Sequence, residues 1–408
     1  MIDLKMALRN IWRNPRRTWL TILAIAFASL LLVFMLSFQF GSYEAMINTS
    51  VRISTGHLQV QARGYQKDRN IWQAVNDPND LATILNSMPD IVAWTFRANA
   101  FSLVSSEKRT DGVQITGIEP EREKQVSTLK DLIRKGSYLG EVDLYGALVG
   151  DRLARNLGVV PGDSLTVLGQ GRDGSMAASV LTVTGVFESG IDAMDRNVLM
   201  IRLEDFQEIF FMGGGVHEAV LTVSSLKKVS LVKKELTDRL ALVKGLVVLD
   251  WMEIMPGLLQ SIQMDLVSGC IMYLILVIVV AFSIFNTFLM AIFERTREFG
   301  VMMAMGTSPF RLMKLVLIES MAMTLLGIVL GMVLGSLVTL YFQHQGIYIP
   351  GTEDIFKQYG IPDRLFPRLS LLTLTAGPGL VFCITFISSV FPALKLRKMK
   401  PVEAMSHV

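Results

Sequence analysis

The stretch "FERTREFGVMMAMGTSPFRLMKL", Phe293 to Leu315, decides the fold. It gathers Glu294, Arg295, Arg297, Glu298, Arg311 and Lys314 between two long runs that carry no charge. The preceding run extends from Leu266 to Phe293, and the following one from Ser320 past Tyr341. Two more uncharged runs lie outward of these, Thr18 to Tyr43 and Leu369 to Leu394. A bilayer core about 30 Å thick needs roughly 20 apolar residues in a helix, whereas runs of about 10 to 14 suit buried core helices. All four runs pass the longer threshold. The composition agrees: the 408-residue chain is 51% hydrophobic, with a mean hydropathy of +0.44.

The distribution of Lys and Arg orients the four spans. The first 17 residues hold Lys5, Arg9, Arg13, Arg16 and Arg17 against one acid, Asp3. The quoted segment holds four basic residues, and the tail holds Lys395, Arg397, Lys398 and Lys400. With four spans these three segments share one side, which is therefore the cytoplasm, together with both termini. The net charge of +3 is accounted for by these edges and points to no nucleic-acid partner. The first run is too long for a signal-peptide core and has no convincing cleavage site after it, so it reads as an anchor. The expected organisation is a cytoplasmic amphipathic N-terminal helix (1–17), span one (18–43), an exported domain (44–265), span two (266–293), a cytoplasmic connecting helix (294–312), span three (313–342), an exported loop (343–368), span four (369–394) and a cytoplasmic tail (395–408).

Within the spans, Gly327, Gly331 and Gly335 recur every four positions and line one helix face, which suits close packing inside the subunit or a dimer seam. Gly377, Pro378 and Gly379 are expected to kink the fourth span or start it anew. Intramembrane charge is nearly absent, and Glu319 at the edge is expected to pair with Arg311 or Lys314. An ion-coupled pump or selective channel lacks its usual equipment here.

The exported segment shows short alternating runs at His57, Gly112, Asp163, Ser179, Asn197 and Glu218, with helical patterns between them, and reads as α+β. "LKDLIRKG" is expected to be a helix ending at Gly136, Asp80 to cap "DPNDLATILNSM", and Leu231, Leu236, Leu240 and Val243 to share a helical face. "LGQGRDGSMAAS", Leu168 to Ser179, reads as an exposed hairpin tip. No chemistry is legible. His57 and His217 stand apart, the carboxylates have no metal-ligand spacing, and "RKGS" at Arg134 lacks the phosphate-loop frame. Cys270 and Cys383 are the only cysteines and both fall within spans, so the exported domain has no thiol. No catalytic residue, metal site or cofactor is expected.

The quoted stretch also resembles the coupling-helix motif of permease subunits in FtsX/MacB-type ABC transporters, commonly E-R-T/K-R-E-I-G-x-x-R-A-L-G-A-S. "ALRNIWRNPRRTWLTILAIAFA" is similar to the family's N-terminus and first span, and "FPALKLRKMKPVEAM" to its ending. Met303 and Thr307 stand where Arg and Ala are frequent. The resemblance implies a dimer with a second permease copy or paralogue. It also implies two cytoplasmic ATPase subunits, which bind ATP and Mg and carry out hydrolysis, since this chain shows no Walker A sequence. Glu294, Arg295, Arg297, Glu298, Phe299, Gly300 and Gly306 are the motif positions it places at the ATPase.

Within the family, the lipoprotein-releasing permeases of Gram-negative inner membranes are the most similar, through "VFESGIDAMDRNVLMIRLEDFQEIF" and "IQMDLVSGCIMYLILVIVV". By that likeness Phe38, Met46, Met264 and Asp265 would meet the lipid chains of a lipoprotein, and the hairpin would face a periplasmic carrier. Two other family roles stand beside this one. They are efflux of a peptide or antibiotic through a periplasmic adaptor, and signalling to a cell-wall hydrolase.

Overall fold

A computed structural model describes residues 9, 12–140, 143–241, 243, 245–351 and 364–397. Most of the expected amphipathic N-terminal helix (1–17) and the end of the tail lie outside these residues; 12–14 form a turn, and Pro15–Arg17 already belong to the first long helix. The chain divides into two units. One comprises Met1–Glu44, Ile262–Tyr348 and Arg364–Val408; the other comprises Ala45–Ser261 and Ile349–Asp363.

The helices, in chain order, are α1 (Pro15–Ser50), α2 (Tyr65–Asp68), α3 (Pro78–Asn86), α4 (Pro120–Val126), α5 (Asp151–Leu157), α6 (Asp192–Asn197), α7 (Leu203–Ile209), α8 (Val229–Leu240), α9 (Trp251–Ile254), α10 (Pro256–Glu294), α11 (Thr296–Ala304), α12 (Pro309–Gln345) and α13 (Leu371–Arg397). Four of them, α1, α10, α12 and α13, are long and apolar enough to cross a bilayer. Helices α1, α10 and α12 run past their uncharged segments on both sides, and α13 starts two residues inside its own and runs past the end. Helix α1 begins at Pro15, where a missing N–H costs nothing in a first turn.

These four helices share one core in the first unit. Ile22, Ile25 and Leu32 of α1 meet Val277, Ile284 and Phe288 of α10, Met323 and Ile328 of α12, and Val381 of α13. The glycine stripe of α12 faces α1. A Cβ at Gly327 would lie 2.8 Å from Ile25 Cβ, one at Gly331 2.4 Å from the Ala26 carbonyl oxygen, and one at Gly335 3.1 Å from Val33 Cβ. Helix α13 runs unbroken through Pro378, so the expected restart of this span does not occur. Its Gly377 lies against Leu32 of α1, within 2.7 Å of where a Cβ would sit, and packing holds the helix across the lost bond.

The second unit is built on ten strands: β1 (Leu58–Ala62), β2 (Ile91–Ser105), β3 (Thr110–Ile118), β4 (Ile133–Gly136), β5 (Gly146–Gly150), β6 (Ser164–Gln170), β7 (Met176–Phe187), β8 (Val198–Arg202), β9 (Glu218–Val223) and β10 (Leu246–Asp250). They form one mixed sheet in the order β10-β1-β9-β2-β3-β8-β5-β7-β4, with β6 pairing β2 and β7. That last strand closes a ring of β2, β3, β8, β5, β7 and β6, in which β3–β8 and β5–β7 are the parallel pairs. The six strands expected from alternation are present, and β2, β4, β5 and β10 are additional.

Three local expectations are corrected. "LKDLIRKG" is a 3-10 turn, Leu129–Leu132, followed by β4, because Gly136 is clamped against the Thr184 carbonyl of β7. Asp80 lies in the first turn of α3, and Asp77 takes the N-cap position. Helix α8 buries Val229, Val232, Leu236 and Leu240, leaving Leu231 and Val243 exposed, a rotation that follows the face resting on the sheet.

Candidate functional site

The charged connection between α10 and α12 is a nine-residue helix held on three sides. Its inward face, Phe299 and Met303, packs with Ile292 of α10 and Leu312 and Val316 of α12. Arg295, at the helix entrance, points the same way and places its guanidinium 3.2 and 2.9 Å from the two carboxylate oxygens of Glu319. Both side chains are about nine-tenths buried, and the guanidinium also lies over the Phe299 ring at 5.2 Å. Glu319 therefore pairs with Arg295, not with Arg311 or Lys314 as expected, because it lies eight and five residues beyond them on α12 and is turned towards the end of α10. Removing one partner of such a pair strands a buried charge, at about 3–5 kcal/mol.

The outward face is polar and anchored from α1 and the turn before it. Arg17 donates to Glu294 at 2.9 Å, and Arg13 donates to Glu298. These pairs are half exposed and worth about 0–1 kcal/mol each, so they position rather than stabilise. Gly306 has φ +96 with open space around it and ends the short helix in a left-handed turn. Ser308 then caps α12 by accepting the Arg311 N–H, with Pro309 in the first turn. Of the residues expected at an ATPase, Glu294, Arg297, Glu298 and Gly306 are exposed, while Arg295, Phe299 and Gly300 are buried. Val301, Met305 and Phe310 add apolar area to the exposed side, and sequence reading passed over them.

At the other end of this unit, Asp265 accepts from Tyr43 Oη at 2.6 Å and Gln39 Nε2 at 3.2 Å. Tyr273 donates to Gln39 Oε1 at 2.8 Å. Phe38 and Met264 belong to the same unit, with Phe38 stacked on Phe34 and Met264 exposed; Met46 belongs to the other unit.

The large unit contains a buried polar face that sequence reading missed. Pairing registers put Gln61, Glu218, Arg97 and then Asn99 and Thr116 side by side on the sheet. Arg97 donates to Glu123 of α4 at 3.1 and 2.6 Å. Burial works against its charge, and the Glu123 carboxylate holds its pKa above the usual value. His217 is fully buried and stacked on Tyr65 at 4.9 Å, and its Nδ1 accepts the Asn99 N–H at 2.9 Å. Burial, with a smaller contribution from Arg172, lowers its pKa to about 4. Glu218 beside it is pushed up by burial. The only legible signal was the alternation of Gln59 and Gln61 in β1, which suggests solvent rather than a core. Among the described residues, no group of three His, Cys, Asp or Glu is placed to hold a metal ion.

The hairpin of β6 and β7 turns at Gly171–Ser175 with Asp173 at its tip. The outer faces of β2, β6 and β7 expose Phe101, Leu103, Leu168, Met176 and Val180.

Residues 18–239 match the MacB-like periplasmic core domain, and residues 270–401 match the FtsX-like permease C-terminal domain. The chain is 25% identical to the lipoprotein-releasing system transmembrane protein LolC of Xylella fastidiosa, over 95% of this chain and 93% of that one. It is 22% identical to the lipoprotein-releasing system transmembrane protein LolE of Haemophilus influenzae, over 90% and 88%. The macrolide export ATP-binding/permease protein MacB of Salmonella paratyphi A is 29% identical over 31% of this chain and 17% of that protein. Among solved structures, the periplasmic region of MacB from Actinobacillus actinomycetemcomitans aligns with a TM-score of 0.38 at 17% identity, covering 53% of this chain and 97% of that one.

Proposed function

This chain belongs to the FtsX/MacB family of ABC transporter permeases, as a non-catalytic membrane subunit that works with partner ATPase subunits, and on that premise we propose that it extracts lipoproteins or similar amphiphiles from the inner membrane of a Gram-negative bacterium. One observation carries the substrate class. The likeness to lipoprotein-releasing permeases runs the length of both chains, whereas the likeness to the macrolide exporter is confined to a fraction of each.

On this reading α11 is the contact with the ATPase. Its exposed Arg297 and Glu298, with Glu294 and Gly306 at its ends and Val301 and Met305 between, form the docking face. Phe299 and the Arg295–Glu319 pair fasten that face to α10 and α12, so force applied at α11 reaches both helices. The surface around Phe38, Met264 and Asp265 receives lipid chains. The hairpin at Leu168–Ser179, with the apolar face behind it, presents the released molecule to a periplasmic carrier.

Affinity purification of the intact complex in mild detergent, with mass spectrometry of proteins and lipids, tests this. An acylated lipoprotein co-purifying with an ATPase supports extraction. An adaptor in its place moves the assignment to efflux, and a cell-wall hydrolase moves it to signalling.

A further inference from the structure

The end of α1 and the start of α10 both lead into the large domain, and both connections are held by buried polar side chains of that domain. Helix α1 passes into a π-helical turn, Val51–Thr55, closed by Gly56 at φ +66. A Cβ there would sit 2.5 Å from Val220 Cγ1, so the chain enters the sheet through a position only glycine fits. Isolated π turns concentrate at functional sites in helices. On the return path α9 starts with a capping box of Asp250 and Glu253, to which Lys233 is bound, and Met255 breaks the helix before Pro256.

The row that grips these two points has two parts, Arg97 with Glu123 and a chain of three glutamines, which meet at the adjacent carbonyls of Ser54 and Thr55. Arg97 donates to the Ser54 carbonyl inside the π turn while its other nitrogens hold Glu123. Gln59 donates to the Thr55 carbonyl at 2.8 Å, and Gln61 donates to Gln59 Oε1 at 2.6 Å and to Gln66 Oε1 at 3.3 Å. Gln66 in turn donates to the Ile254 carbonyl at 3.2 Å. Thr55 Oγ1 lies 3.7 Å from Met255 Sδ, so the two connections also touch directly. Gln59, Gln61, Arg97 and Glu123 are each at least nine-tenths buried.

Neutral polar groups this deep contribute little net stability, and a buried ion pair is often replaceable by apolar residues without loss. What they supply is direction. Three of the bonds fix a particular backbone carbonyl against the sheet, those of Ser54, Thr55 and Ile254, and the others hold the three donors in place. A cavity of about 80 Å³, lined by Ser54, Thr55, Gln59, Arg97, Glu218 and Ile254, adjoins the row. Polar walls of that size hold water, which lets such bonds exchange partners without stranding a donor.

We propose that Arg97, Gln59, Gln61 and Gln66, with Glu123 behind Arg97, form a joint that clamps both membrane connections to each other and to one face of the sheet. Motion of α1 and α10 then reaches the large domain through bonds to stem carbonyls, and the two connections move together. This rests on the permease reading above. The four side chains are positioning residues; none touches substrate or nucleotide.

The test uses the permease purified with its ATPase and reconstituted in liposomes. Amide hydrogen exchange of β1, β2 and β10 is compared without nucleotide and with ATP plus vanadate. In the unmodified complex nucleotide changes the exchange. In the paired variant Arg97→Met with Glu123→Leu, and separately in Gln61→Leu, the melting temperature and ATP hydrolysis are retained and the nucleotide-dependent change is lost. A full change in the folded variants overturns the joint. If the paired variant does not fold, Gln61→Leu carries the same comparison. A disulfide between Thr55→Cys and Met255→Cys leaves the change intact if the connections move together; its loss on oxidation, restored by reductant, overturns the clamp. Absence of any nucleotide response in the unmodified complex overturns the permease reading instead.

Discussion

Helix α1 meets its neighbours in two different ways. Against α12 it packs at close range, with the side chains of Ile25, Ser29 and Val33 and the Ala26 carbonyl set against the bare backbone of Gly327, Gly331 and Gly335. Against α10, at the far end, it meets polar side chains: Gln39 and Tyr43 hold Asp265, and Tyr273 holds Gln39. The first contact has no spare volume and no alternative geometry. The second consists of hydrogen bonds among partly exposed groups, each worth about 0.5–1.5 kcal/mol and replaceable by water or a lipid headgroup. The α1–α12 seam is therefore the tighter of the two contacts, while the polar contact is the weaker end of an α1–α10 pairing that also shares the apolar core.

The comparison breaks first if burial fails to decide which polar ties are strong. Glu319→Ala leaves the buried Arg295 only the half-exposed Glu298 carboxylate, 3.5 Å from its Nε, and is expected to cost up to about 3–5 kcal/mol, read as a fall in thermal stability in detergent. Replacing both, Arg295→Met with Glu319→Leu, restores most of it. The same logic extends into the large domain at His217, whose neighbours give it hydrogen bonds but no counter-charge. Its folded pKa of about 4 lies below the unfolded value of 6.5. The unfolded chain thus binds the extra proton first, and stability falls as pH drops from about 6.5 towards 4, by up to about 3 kcal/mol. Glu218, raised in the folded state by burial, opposes this as pH falls towards its unfolded value of 4.5. Melting curves from pH 7 to pH 4.5 show the loss, and His217→Gln flattens it.

The seams themselves differ in smaller amounts. Gly331→Ala drives a Cβ against the Ala26 carbonyl and is expected to cost about 1–3 kcal/mol. Gly379→Ala, with nothing within 4 Å, is the matched control and is neutral. Tyr43→Phe, which removes one bond of the polar contact, is expected to cost about 1 kcal/mol or less while raising the exchange rate of nearby α10 amides. A larger stability loss than at Gly331 would reverse the ranking of the two seams.

Much of this was legible because its signals are local. Uncharged runs above 20 residues, the period-2 strands and the hairpin need no distant partner to be recognised. Strand β2 was missed for the opposite reason. Arg97 and Asn99 interrupt its alternation, and their partners, Glu123 and Glu218, lie elsewhere in the chain. Strand β5, "GALVG", is too short and small-sided to signal, and β4 read as a helix end because Gly136 serves a close approach instead of a cap. At the charged connection, helical spacing of Arg295, Phe299 and Met303 already placed them on one face. The motif's charge pattern drew attention to the opposite side. The Arg13 and Arg17 pairs join residues more than 270 positions apart, beyond any local pattern.

The glycine seam also sets a schedule for synthesis. Ala26 and Gly331 touch, yet about 300 residues separate them, and translation at roughly 5–20 residues per second takes about 15–60 s to cover that distance. Throughout that interval the first span is already made, with Ser29 on the face that α12 will later cover. An intramembrane surface of small and hydroxylated residues packs poorly against lipid tails. The nascent first span must therefore be sheltered by the insertion machinery until the third is delivered. Truncated chains released before Gly327 are the expected substrates of membrane quality control.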